Sequence, residues 1–168
     1  MSQTLCSMIL SKIDEQVQLT DHLISLLPDR DLHWKPTKAK AFTAAALLSH
    51  LLECLAGFCA VLIAVEPSLL IHFSDLRALL ANHSGDQTET RKRIHLFIDR
   101  IHEGFSVLDD SALYKLVPTV FVKSGEPLLT LLLGNLEHFI NHKHQLFMYL
   151  QLIGINLGSK ELYRFRGE

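Results

Sequence analysis

Apolar residues recur along this chain at the three-to-four-residue spacing of a helix face in four long stretches. In the first, residues 5–27, the residues Ile9, Ile13, Val17, Ile24 and Leu27 share a stripe. Pro28 and the polar Asp29-Arg30-Asp31 end that helix. The connection that follows, 28–41, holds Trp34 and Pro36 and is long. The second helix therefore need not be an antiparallel neighbour of the first. It is predicted over 41–65, with His50 in line with Leu47, Cys54, Phe58 and Val61. Ser49 and Glu53 are its main polar interruptions, and a helix apolar nearly all round is expected to be covered on two sides. A second copy of the chain, or the loops and tail, would provide that cover. A short helix is predicted over 73–83. Asp86 with Glu89 three positions on reads as a capping box that starts the third long helix, which ends near Asp109-Asp110. Its stripe is Ile94, Phe97, Ile98, Ile101, Phe105 and Leu108. After an irregular stretch, 111–126, Pro127 is placed in the first turn of the fourth helix, and Gly154 closes it. The tail, with Tyr163 and Phe165, is expected to drape over the bundle. No alternation of strand type stands out. The pattern predicts an all-α fold, a four-helix bundle with long connections, as one domain over 1–168.

Composition narrows the partners. The chain has 168 residues, is 48% hydrophobic and carries a net charge of −2. That size and apolar content suffice for one core without disulfides. The charge balance offers nothing for nucleic acid, and the one basic cluster, Arg91-Lys92-Arg93, reads as a solvated helix face. Three cysteines without a CxxC pair point to reduced thiols and a cytoplasmic compartment. The N-terminal residues do not form a signal-peptide pattern. The longest uncharged apolar run, 54–65, is too short to span a bilayer, so no membrane role is expected.

The candidate chemistry lies in the histidines. His138 and His142 are four residues apart in the fourth helix, on one stripe with Leu131, Asn135, Gln145 and Tyr149. Residues at that spacing share a face, so both imidazoles can reach one ion, and a helix packed alongside could bring His50 to it. Leucines at 128, 132, 146 and 150 surround the stripe, which is expected to face the core side. Spacing alone also allows a hydrogen-bonded pair of buried histidines or a half-exposed polar strip. His50 alone reads equally as a satisfied core histidine, and Cys54 as packing or as a nucleophile paired with His50. His95 and His102, seven apart, could line the edge of a site but read better as a helix boundary. His22, His33, His72 and His83 fall in polar or terminal segments, and His144 points away from His142. The Glu-x-x-His pairs of di-iron bundles, the GxSxG elbow and the phosphate-binding loops do not occur.

Three stretches together resemble the DinB-like, or YfiT-like, family of metal-binding four-helix bundles. Leu32-His33-Trp34-Lys35-Pro36 resembles the segment before that family's second helix. Leu48-Ser49-His50-Leu51-Leu52 resembles its first histidine motif. His138-Phe139-Ile140-Asn141-His142-Lys143-His144-Gln145-Leu146, then Tyr149-Leu150 and Gly154, resembles its second. His144 replaces a small residue of the usual pattern, and Lys143 replaces the commoner arginine. The resemblance implies metal ligands at His50, His138 and His142, a divalent ion such as nickel or zinc, and a homodimer. It implies a transferase that uses a low-molecular-weight thiol as co-substrate and acts on a small-molecule electrophile. A non-catalytic helical dimer with a structural or vestigial metal, and a metal-dependent hydrolase, are the alternative readings. Glu53, Asn135 and Gln145 are candidates to orient the imidazoles.

Overall fold

The computed structural model describes residues 4–37, 40–72 and 86–163, with only the backbone of His72. Among them, four long helices pack around one core: α1 (Leu5–Ser25), α2 (Ala44–Val65), α4 (Gln87–Ser106) and α5 (Leu128–Leu152). A single turn, α3 (Leu69–His72), follows α2. The short helix predicted over 73–83 lies outside the described residues, as does Phe165. Helices α1 and α2 do not pair with each other; each packs against both α4 and α5. The long connection after α1 thus places α2 diagonally across the bundle. Cross-helix bonds run Asp21 to Arg91 and Asp14 to His102, so α1 and α4 are antiparallel. Bonds from His50 to His138 and from Cys54 to Asn135 make α2 and α5 antiparallel too.

Every predicted stripe residue of α1 is buried, and of the α4 stripe only Ile98 and Leu108 are partly exposed. Helix ends show why the boundaries fall where they do. A helix start leaves four N–H groups without intrahelical partners. In α1 two of these, on Leu5 and Cys6, donate to the carboxylate of Asp110, each at 2.9 Å. Those two bonds hold Asp110 below the usual aspartate range. Helix α2 begins at Ala44, three residues later than predicted, because the preceding connection supplies its caps. Ala44 N–H donates to the Trp34 carbonyl at 2.9 Å and Ala45 N–H to that of Leu32 at 2.8 Å. Thr43 Oγ1 accepts from Ala46 N–H at 3.1 Å. The Trp34 stretch is therefore a cap for α2.

Helix α4 has half of the predicted capping box. Asp86 accepts from Glu89 N–H at 2.8 Å, but the Glu89 carboxylate turns to Arg93 instead of back to the cap. The helix stops at Ser106, and a 3-10 turn, Asp110–Tyr114, follows. A two-residue antiparallel ladder pairs β1 (Leu116–Val117) with β2 (Glu126–Pro127), an element the sequence pattern is too short to show. Pro127 sits at the N-cap of α5, one residue outside the first turn. At the other end Gly154 adopts φ 94°, Ile155 N–H reaches the Leu150 carbonyl and Gly154 N–H that of Gln151. This left-handed cap is the reason a glycine closes the helix. Of the tail, Leu162 is buried and Tyr163 is exposed.

Helix α2 departs from the sequence expectation on length. Its 22 residues are long and apolar enough to cross a membrane by length and composition, because His50 and Glu53 interrupt the run only weakly. Half of that window is buried inside the bundle. The outward side is made of small residues, with Ala60 and Ala64 exposed and Ala56 and Gly57 half-buried.

Candidate metal centre

Helices α2 and α5 bring His50, His138 and His142 together. One ring nitrogen from each lies within 4.8 Å of the others. Ring centroids are 5.1 Å apart for His50–His138, 4.4 Å for His50–His142 and 4.6 Å for His138–His142. The cluster does not face the core. His138 is exposed and the other two are half-buried, because the leucines beside them, not the histidines, occupy the inner face of α5. The strip lies on the open seam between α2 and α5.

Hydrogen bonds determine which nitrogen each imidazole offers. His50 Nδ1 is 2.7 Å from Glu53 Oε2, one turn along α2. An ionised carboxylate only accepts, so Nδ1 carries the proton and Nε2 presents a lone pair. For His142 the logic runs through three residues. The Phe42 carbonyl can only accept, and Tyr149 O–H donates to it at 3.0 Å. The phenol oxygen then accepts from Gln145 Nε2 at 3.1 Å. That turns Gln145 Oε1 toward His142 Nδ1 at 3.0 Å. An amide oxygen cannot donate, so His142 Nδ1 is protonated and its Nε2 is bare. A backbone carbonyl in the connection before α2 thereby sets the tautomer of an imidazole on α5. The Phe42 ring closes one side, with centroids 5.3 Å from His50 and 6.1 Å from His142.

His50 Nε2 lies 3.0 Å from His138 Nε2. Two ring nitrogens that close need a proton or a cation between them. Nitrogens about 2.0–2.1 Å from a shared tetrahedral ion stand roughly 3.3 Å apart; His50 and His138 are close to that spacing, and a ring nitrogen of His142 lies within 4.8 Å of theirs. Partial burial is the main reason that His142 is held below its usual pKa; the Gln145 hydrogen bond opposes it, and the nearness of two further imidazoles, His50 and His138, adds to the lowering. The imidazole is thereby kept in the neutral form that ligation needs. The three residues are thus placed to hold a metal ion, and their all-nitrogen donor set suits zinc, nickel, copper or iron better than magnesium or calcium.

The neighbouring side chains divide by role. Glu53 and Gln145 orient imidazoles, as two of the three candidates were expected to. Asn135 does not; its Nδ2 donates to the Cys54 carbonyl at 2.8 Å and ties α5 to α2. Burial pushes the Cys54 thiol up to about 12, with the Glu53 charge adding to the effect. Both ring nitrogens of His50 are engaged elsewhere, by Glu53 and His138, which speaks against the Cys54–His50 nucleophile reading. His95 and His102 lie on a different seam, between α4 and α1. Phe42 and Tyr149 complete the site without having been singled out as parts of it. The fixed spacing of Gln145 and Tyr149, one turn apart on the His142 stripe, was the available signal for the second. An open cleft of about 640 Å³ adjoins the cluster, with His50, Glu53, Cys54 and His138 at one end.

No protein-family model matches the chain, and no curated protein does. Among solved structures it is similar to YjoA, a DinB-like protein of Bacillus subtilis, with a TM-score of 0.67. The two are 19% identical, and the match covers 89% of this chain and 94% of that one. At that identity the likeness establishes the fold. The chain is an all-α protein with a DinB-like fold, as its three motif stretches led us to expect, and it carries a three-histidine cluster that fits a metal ion.

Proposed function

We propose that His50, His138 and His142 bind one divalent metal ion, and that the chain uses it in transfer of a small electrophile to a low-molecular-weight thiol. The observation that carries the metal reading is the convergence of two bare Nε2 atoms and a third imidazole on one point. Three protein ligands leave a position open, which is the arrangement of catalytic sites and not of closed structural ones. A bound divalent ion would supply acidity, lowering the pKa of a thiol or water at that position toward neutrality. The protein's own contribution is orientation. Glu53 and the Gln145–Tyr149 pair hold the imidazoles in one tautomer, and Phe42 shields one side of them from water. The cleft beside the cluster supports a reactive role over a purely structural one, since a substrate has room to approach.

Elemental analysis of the native protein, paired with a thiol-conjugation assay, tests this reading. We expect about one ion per chain, none in His138→Ala, and conjugation that stops with the metal. Metal affinity should also fall as pH drops below about 6, because imidazole ligands must be neutral and protons compete for them. Full metal content in His138→Ala, or an affinity unchanged from pH 7 to pH 5, counts against imidazole ligation.

A further inference from the structure

The cleft continues from the histidines along the seam of α2 and α5. Gly57, Ala60 and Val61 line it from α2, Leu131 and Gly134 from α5, and Glu126 from β2 at the far end. From His138 to Thr130, another lining residue, is eight residues of helix, a run of about 12 Å. The walls between the two ends are mostly apolar. Among the described residues, the charged groups that line the cleft are the carboxylates Glu53 and Glu126, and no lysine or arginine does.

Gly134 has no structural reason to be glycine. It lies inside a 25-residue helix, where glycine costs roughly 0.5–1 kcal/mol relative to alanine. Its φ is not positive, and a Cβ built on it meets no atom within 4 Å. The other two glycines inside long helices differ. A Cβ on Gly57 would stand 2.9 Å from Asn135 Oδ1, and one on Gly104 2.8 Å from Leu62 Cδ1. Packing therefore explains those two, whereas at Gly134 the missing side chain only deepens the cleft.

We infer that this cleft is a binding groove for an elongated molecule with an apolar body and a cationic end, such as a primary ammonium, set against Glu126. Resting on the function proposed above, the reactive end of that molecule lies at the histidine cluster. In the metal-free groove anionic chains of the same length are disfavoured, because Glu126 repels them at the far end, whereas Glu53 is already engaged by His50.

Binding of octylamine and octanoate, measured by calorimetry on the purified protein and again after chelation, tests the groove. Octylamine should bind more tightly by about threefold to thirtyfold, the product of one attraction gained and one repulsion avoided. Glu126→Gln should remove the difference. Gly134→Leu should abolish binding of both, and Gly134→Ala should weaken it while the melting temperature rises by a few degrees, about what an alanine gains inside a helix. Equal affinities in the chelated wild type, a preference for octanoate, or wild-type binding by Gly134→Leu would overturn the inference. These outcomes are read without metal. A native protein that holds no ion thus defeats the proposed function and leaves the groove standing, whereas indifference of the metal-free protein to charge and to Gly134 defeats the groove alone.

Discussion

The two antiparallel seams of the bundle solve the same packing problem with opposite chemistry. Between α1 and α4, opposite charges meet. Arg91 reaches both oxygens of Asp21, each at 2.8 Å, and His102 Nε2 lies 2.7 Å from Asp14. His95 stands 4.0 Å from the same Asp21. Between α2 and α5 the imidazoles face one another, and the carboxylate and amide that serve them sit behind, on their Nδ1 atoms. Both seams carry a cleft, of about 390 Å³ on the first and 640 Å³ on the second. The difference teaches where chemistry can reside. On the first seam each imidazole stands against an aspartate carboxylate of the protein itself. On the second, ring nitrogens converge, and the cluster could hold a metal ion.

The widest separation of the two seams is in metal content. His138→Ala should empty the site, while His102→Ala, which removes an imidazole that is also exposed but lies on the charged seam, should leave the metal in place. Loss of metal in both variants would mean that the bundle, and not the α2–α5 cluster, governs binding.

Next in size is a residue that turns away from the cluster. Lys143 follows His142 directly, yet α5 swings it inward to 3% exposure. Its Nζ donates to Gln16 Oε1 at 2.7 Å and to the Leu162 carbonyl at 2.9 Å. It thus joins α5, α1 and the tail, and burial lowers its pKa. Lys143→Ala strands both acceptors and leaves a void, a loss of about 2–4 kcal/mol. Urea denaturation should show that loss, with metal stoichiometry at low denaturant unchanged. A Lys143→Ala protein as stable as wild type would show that the tail contributes nothing through this bond.

Lys143 also marks the limit of what the sequence could reveal. As a basic position beside a histidine motif it read as part of a pattern, and only packing shows it to be a buried strut. The helices themselves were legible because each stripe repeats over several turns, as in Ile9, Ile13 and Val17. The ladder of Leu116–Val117 with Glu126–Pro127 was not, since two residues carry no period. For the site, the four-residue spacing of His138 and His142 determined their shared face, and the motif stretches pointed to His50. The direction of that face was misjudged. Flanking leucines suggested the core, but a stripe that includes Asn135 and Gln145 can satisfy its amides only at a seam. Phe42 was invisible for another reason, because its role depends on a connection with no periodicity at all.

The bonds behind the imidazoles give a finer comparison. Gln145→Ala removes the acceptor that holds the proton on His142 Nδ1, and such losses cost roughly 10–100-fold in metal affinity. Tyr149→Phe leaves the amide in place but frees it to turn over, so its effect should have the same sign and be smaller. Competition with a chromophoric chelator measures both. Equal affinities in wild type and Gln145→Ala would show that the ring orients itself.

The smallest effect belongs to the charged seam. Arg91 and Asp21 make a two-pronged contact, and Asp21 raises the Arg91 pKa, but the Arg91 side chain is 40% exposed and Asp21 17%. Partly exposed pairs contribute at most about 1 kcal/mol, because water screens them and long side chains lose freedom when ordered. A double-mutant cycle on Arg91→Ala and Asp21→Ala should give a coupling below that figure, and it should shrink further at 1 M salt, where the screening length is about 3 Å. His95 shares Asp21, so Asp21→Ala alone should exceed Arg91→Ala slightly. A coupling that survives high salt would mean that this seam is drier than its exposure indicates, and the contrast between the two seams would then be one of degree.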